Sequence, residues 1–122
     1  MTIFLDHIQR LHLVALLGLI EANVGETRAV WKLMDQLSLD EEEKREIDYF
    51  IQNINGEEVQ GWNQTKTLPP KSYDFADSDI ARIRRAVLQF PRHRVAMARR
   101  WLEPLIEQLP MEEETAPNLV RR

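Results

Sequence analysis

The sequence predicts a mainly α-helical fold: three N-terminal helices, a short β-hairpin or irregular segment, and two C-terminal helices. Three observations carry that prediction. Apolar residues recur at helical spacing through positions 8–51 and again through 80–109. Between those stretches stands Asn55-Gly56, a strong two-residue turn signal. Pro69-Pro70 then enforces an extended stretch before the helical period resumes.

The first helix is expected from Thr2 to about Asn23. Ile8, Leu11, Ala15, Gly18 and Ala22 mark one face, and Leu13, Leu16, Leu17 and Ile20 widen the apolar arc, as suits a helix covered on most sides. Gly25 interrupts the pattern, and a second helix runs from about Glu26 to Leu37 with Val30, Leu33, Met34 and Leu37 as its stripe. Ser38-Leu39-Asp40-Glu41 has the capping-box form, so Ser38 is expected to cap a third helix that ends near Gln52 or Asn53. Ile47, Phe50 and Ile51 would supply its apolar contacts. Residues 54–75 lose the helical period. Val59 and Trp62 fit the return arm of a hairpin, with Gly61 at a bulge, and Trp62 is expected to anchor the segment by burial. Tyr73 and Phe75 alternate around Asp74, as in a short third strand or a packed arm. A fourth helix opens at Asp77 and carries Ile80, Ile83, Val87 and Phe90. A fifth extends to about Leu109 on Val95, Ala98, Leu102, Leu105 and Leu109, with Pro104 expected to kink or split it. The domain therefore spans residues 1–110, and 111–122 read as a flexible polar tail. Three helices followed by a hairpin is also the element order of a winged helix-turn-helix.

Composition excludes several chemistries. With 43% hydrophobic and 30% charged residues, the chain is of ordinary globular composition. It has no cysteine, which removes disulfides, thiolate metal sites and a thiol nucleophile. Leu11 to Ile20 is apolar apart from His12 and Gly18, but a membrane span needs about 20 residues, and no basic start or cleavage site frames it. A cytoplasmic location, in a bacterium or a phage-infected host, is the expectation.

No catalytic, cofactor or metal residues are expected. None of the serines lies in a nucleophile elbow. His7 and His12 are five apart, about 140° around a helix, and so do not share a metal. They are expected to be polar surface or groove residues. The run Glu41-Glu42-Glu43 fans out by about 100° per residue and reads as a solvated helix start. A calcium loop starting at Asp77 would place Arg82 at its required glycine and Leu88 at its required glutamate. The four glycines form neither a P-loop nor a dinucleotide fingerprint.

The layout resembles a family of small uncharacterised phage, prophage and mobile-element helical proteins. The residues that carry the resemblance are Leu16-Leu17; Leu33, Leu37, Leu39, Glu41-Glu42-Glu43 and Ile47; Asn55-Gly56 and Trp62-Asn63; and Tyr73-Asp74-Phe75 ahead of Ile83 and Leu88. The resemblance covers roughly residues 10–109. It implies a helical fold and an origin, and it brings no catalytic residue.

Charge is distributed unevenly. Residues 1–75 carry 7 basic and 13 acidic side chains, while Ile80 to Leu102 holds seven arginines, no lysine and no acid. The arginine fork favours bidentate contact with carboxylate or phosphate. Three readings compete: pairing with the acidic N-terminal half, binding of an acidic protein partner, or binding of nucleic-acid phosphates. A winged helix would present its third helix to the major groove, yet that helix carries Asp40, Glu41, Glu42, Glu43, Glu46 and Asp48, so nucleic acid is disfavoured. The expected function is that of a non-enzymatic small interaction or regulatory protein of phage type, with a protein partner or self-association. Arg82, Arg85 and Arg92 are the expected partner-binding residues. The alternative is a nucleic-acid-binding regulator using the arginine-rich C-terminal helices.

Overall fold

A computed structural model describes residues 1–89 and 95–110, with the side chains of 95–99 left out. Among the described residues the chain forms five helices and four strands in two separate antiparallel sheets. The fold is mixed α/β, which corrects the mainly α expectation. The order is β1 (Thr2–Leu5), α1 (His7–Leu17), α2 (Val24–Leu37), α3 (Glu41–Glu46), β2 (Phe50–Ile54), β3 (Glu57–Gly61), β4 (Lys71–Asp74), α4 (Asp77–Gln89) and α5 (Val95–Gln108).

The N-terminus is a strand where a helix is expected. Ile3 and Leu5 are buried while Thr2 and Phe4 are exposed, which is period-two burial. Asp6 then starts α1 with a capping box: the Gln9 N–H donates to Asp6 Oδ1 (2.8 Å), and the Asp6 N–H donates to Gln9 Oε1 (2.9 Å). The helix is therefore shorter at both ends than its apolar run. Strand β1 pairs with β4, Ile3 facing Tyr73, so the Tyr73–Phe75 stretch joins the N-terminus and not the hairpin. The outer edge of β1 is closed by a side chain. The Phe4 N–H donates to Gln108 Oε1 (2.7 Å), and Gln108 Nε2 donates to the Phe4 carbonyl (2.9 Å).

Helix α3 is also cut short. Its cap is Asp40 and not Ser38: the Glu43 N–H donates to Asp40 Oδ1 (2.8 Å), and the Asp40 N–H donates to Glu43 Oε1 (3.0 Å). Ser38 closes α2 instead, its hydroxyl donating to the Met34 carbonyl (2.8 Å). After six residues the chain enters the left-handed region at Asp48 (φ 55°), and the Tyr49 N–H returns to the Lys44 carbonyl (2.8 Å). That is a Schellman stop with aspartate where glycine is usual, so the sequence hides it. A six-residue acidic helix is no groove-reading element, and the following hairpin pairs with no third strand. Three helices do precede a hairpin, but this arrangement is not a winged helix.

Two apolar clusters hold the molecule. The larger joins Ile3 and Leu5 of β1, Leu13 and Leu17 of α1, Leu33 and Leu37 of α2, Tyr73, Phe75, Ile80 and Ile83, and Leu105 of α5. The smaller joins Leu39, Ile47 and Leu68, with Leu11, Tyr49 and Trp62 packed against it. Arg10, 2% exposed, ties α1 to both neighbours. It donates to the carbonyls of Leu37 (3.0 Å) and Ser38 (2.9 Å) and forms a two-pronged pair with Glu43 (2.7 and 3.0 Å). Its charge is thus matched by a carboxylate and two helix-end carbonyls. Helix α5 runs through Pro104 as one element and is not split there. Phe90, the side chains of Val95 and Ala98, and residues 111–122 lie outside the described residues.

Candidate protein-interaction surface

The three arginines named from the sequence have separate fates. Arg82 is engaged within the fold: Nε (2.8 Å) and Nη2 (3.2 Å) donate to the Glu26 carboxylate, and Nη1 donates to Asp79 Oδ1 (2.8 Å). The hydrogen bond from Arg82 holds the Glu26 carboxyl below its usual range. Arg85 donates once, to the Glu21 carbonyl (3.3 Å), and lines an open groove of about 410 Å³ with Leu16, Leu19, Ile20 and Gln89. Arg92 lies outside the described residues. The structure therefore brings Arg82 to Glu26 and Asp79, and leaves Arg85 at a groove rim.

Of the histidines, His7 departs from expectation, while His12 is exposed. His7 is buried, with Trp62 edge-on at 6.2 Å, and His12 stacks on Trp101 at 4.4 Å. Among the described residues, no three His, Asp or Glu side chains gather to hold a metal ion, and no helix is long and apolar enough to cross a membrane.

The β2–β3 hairpin departs from ordinary burial along its whole length. Every residue of β2 and β3 is exposed except Gly61, which is half-buried. Asn55 (φ 52°) and Gly56 (φ 86°) form its turn, both in the left-handed region that a two-residue hairpin of this type requires. The Gly56 N–H is held by Asn53 Oδ1 (3.1 Å). Register pairs Phe50 with Gly61, Gln52 with Val59 and Ile54 with Glu57. Directly opposed residues share a face, so Phe50, Ile54 and Val59 lie together on one side of the ribbon. Their exposures are 49%, 46% and 42%. The Phe50 ring covers Gly61 so closely that a Cβ there would lie 2.5 Å from it. Ile51, 60% exposed, occupies the other face with Asn53, Glu58 and Gln60.

The root of this ribbon is fixed while its body is bare. The Asn63 N–H donates to the Ile47 carbonyl (2.8 Å), and Asp48 accepts from Asn63 Nδ2 (3.3 Å) and pairs with Lys66 (3.1 Å). Tyr49 donates its hydroxyl to Gln60 Oε1 (2.7 Å) at the ribbon's base. Trp62 follows β3 and packs into the smaller cluster, half-buried. Sequence reading located the turn but assigned Phe50 and Ile51 to a helix. The available signal was the alternation Phe50, Gln52, Ile54 immediately before Asn55-Gly56. No protein-family model, curated protein or solved structure matches the chain.

Proposed function

We propose that the chain is a non-enzymatic interaction protein that contacts a protein partner through the apolar face of its β2–β3 hairpin. One observation carries this reading: Phe50, Ile54 and Val59 share a face of a rooted ribbon and remain 42–49% exposed. Single exposed apolar residues are ordinary, whereas a contiguous row on a projecting element marks a contact surface. Placing three such side chains in water gains nothing for the fold. Burying them against a partner recovers apolar transfer energy, at about 25 cal/mol per Å² before the costs of association. The arginines at Arg82 and Arg85 are second in support, because Arg82 already has two carboxylates of its own. A phage-type role in a bacterial cytoplasm, implied by the resemblance, belongs to the same proposal.

The test pairs a hairpin variant with a nuclease control. Ile54→Lys with Val59→Lys should melt like the parent and lose capture of the partner from a bacterial lysate. Capture that survives the double change overturns the assignment. Retention that vanishes on nuclease treatment points to a nucleic-acid partner instead.

A further inference from the structure

We infer that β2 pairs antiparallel with β2 of a second copy of this chain, joining the two hairpins into one four-stranded sheet. The inference rests on the reading of the hairpin as the contact element and names one of its partners. It starts from the backbone. In a two-residue hairpin the turn-flanking pair is hydrogen-bonded, so Ile54–Glu57, Gln52–Val59 and Phe50–Gly61 exchange the N–H···O bonds. The N–H and C=O groups of Ile51 and Asn53 then point away from β3. None of the hydrogen bonds among the described residues reaches those outward groups. An isolated two-stranded ribbon is only marginally stable in water, and a third strand is the usual remedy.

Charge selects the edge and the occupant. Strand β2 reads Phe50, Ile51, Gln52, Asn53, Ile54, with no charged residue and no proline. Strand β3 carries Glu57 and Glu58. Lysine, proline or a bulge would guard an edge against pairing, and β2 has none of them. A second β2 is likewise uncharged, so its approach brings no like charges into the strand pair. Pairing about a two-fold axis at Gln52 matches the outward groups: Ile51 faces Asn53 of the second copy and Asn53 faces Ile51, giving four hydrogen bonds. Phe50 then sits opposite Ile54 of the second copy, an aromatic–β-branched cross-strand pair. The apolar face of Phe50, Ile54 and Val59 is doubled in area and stays open.

The register places the two Gln52 residues directly opposite, with Cα atoms about 4.5 Å apart. That makes the test specific. Sedimentation equilibrium of the full chain should show a reversible, concentration-dependent dimer. Gln52→Lys and Gln52→Glu, each alone, should weaken it by about fivefold, because like charges then face across the axis. An equimolar mixture of the two variants should restore association through Lys–Glu pairing. Ile51→Pro, which removes an outward N–H, should give a monomer with the parent's circular dichroism, melting where the parent melts when diluted below its dimerisation range. A parent that is monomeric up to high concentration overturns the inference. So does a dimer indifferent to all three substitutions, or variants that weaken separately and fail to rescue on mixing. Partner capture reports on the other reading: an Ile51→Pro monomer that still captures through Ile54 and Val59 leaves the proposed function standing.

Discussion

β1 and β4 pair over four residues with Ile3, Leu5 and Tyr73 buried in the main core, whereas β2 and β3 pair over five residues with none buried. Both are two-stranded and antiparallel, and backbone pairing alone does not distinguish them. The first is packed beneath α1, α4 and α5, and its outer edge is closed at Phe4 by the Gln108 amide. The second has a rooted base, and each residue of its two strands except Gly61 is exposed. A strand pair becomes part of a core only when its side chains are covered. Uncovered, the same ladder is a contact element that opens at low energetic cost.

The largest expected effect tests that difference by truncation. Leu5→Ala removes a wholly buried side chain and should cost about 2–5 kcal/mol. Ile54→Ala in the hairpin should stay within about 0.5 kcal/mol of the parent, as for other exposed positions. Urea denaturation with a common slope reads both. Equal losses would show the hairpin to be as integrated as β1.

Acid should act on the covered side of the molecule. The hydrogen bonds from Arg10 hold the Glu43 carboxyl down at about 2, against 4.5 when free. Such a group stabilises the fold fully above 4.5, and its contribution is lost as pH falls from there toward 2; the amount is about 3 kcal/mol. Burial also lowers the pKa of His7 from 6.5, with Asp6 opposing and Arg10 and Arg100 adding to the shift. The unfolded chain takes up that proton first, so stability begins to fall as pH drops below 6.5. Thermal melts from pH 8 to pH 3 should show both limbs. Glu43→Gln should lower stability at pH 7 and flatten the lower limb, and His7→Gln should flatten the upper one. An acid profile unchanged in Glu43→Gln would detach Arg10 from that carboxylate.

Legibility in the sequence follows the same division. Helices α2 and α4 and the Asn55-Gly56 turn were readable because long periodic stripes and a turn dipeptide are local signals. The N-terminal strand was not, since the four residues Thr2–Leu5 abut a longer apolar helix and only β4, some 70 positions away, defines them as a strand. The end of α3 was missed because Asp48, and not glycine, takes the left-handed stop. Phe50 and Ile51 fit a helical stripe as well as a strand, and only that stop separates the two. Of the two partners of Arg82, Glu26 belongs to the acidic N-terminal half, but the sequence alone does not single it out, and Asp79 stands three residues before Arg82 on α4 itself.

Trp62 stands at the border between the two regions, and a smaller effect is expected there. Its ring is half-buried against Leu39, Ile47 and Leu68 and edge-on to His7. A fully buried tryptophan costs about 3–5 kcal/mol on truncation, so Trp62→Ala should cost less, about 1–3 kcal/mol. Amide exchange should accelerate in β2 and β3 more than in β1 and β4, because the ring secures the ribbon's root. Uniform acceleration would mean that Trp62 supports the whole fold equally.

The smallest effect isolates the edge itself. Gln108 adds two hydrogen bonds to Phe4 without burying further apolar surface, so Gln108→Ala should cost about 1 kcal/mol or less. Melting alone barely registers such a change, but exchange at one amide does. The Phe4 N–H points away from β4, and in the parent Gln108 Oε1 holds it at 2.7 Å. In Gln108→Ala that amide should exchange on the fast timescale of an unpaired strand-edge amide, while Ile3 and Leu5, bonded toward β4, keep their protection. Gln108→Glu retains an acceptor and loses the donor, so it should preserve protection at Phe4 while leaving the Phe4 carbonyl to water. Should Phe4 stay protected in Gln108→Ala, another group closes β1, and within one chain the contrast with β2 rests on side-chain burial alone.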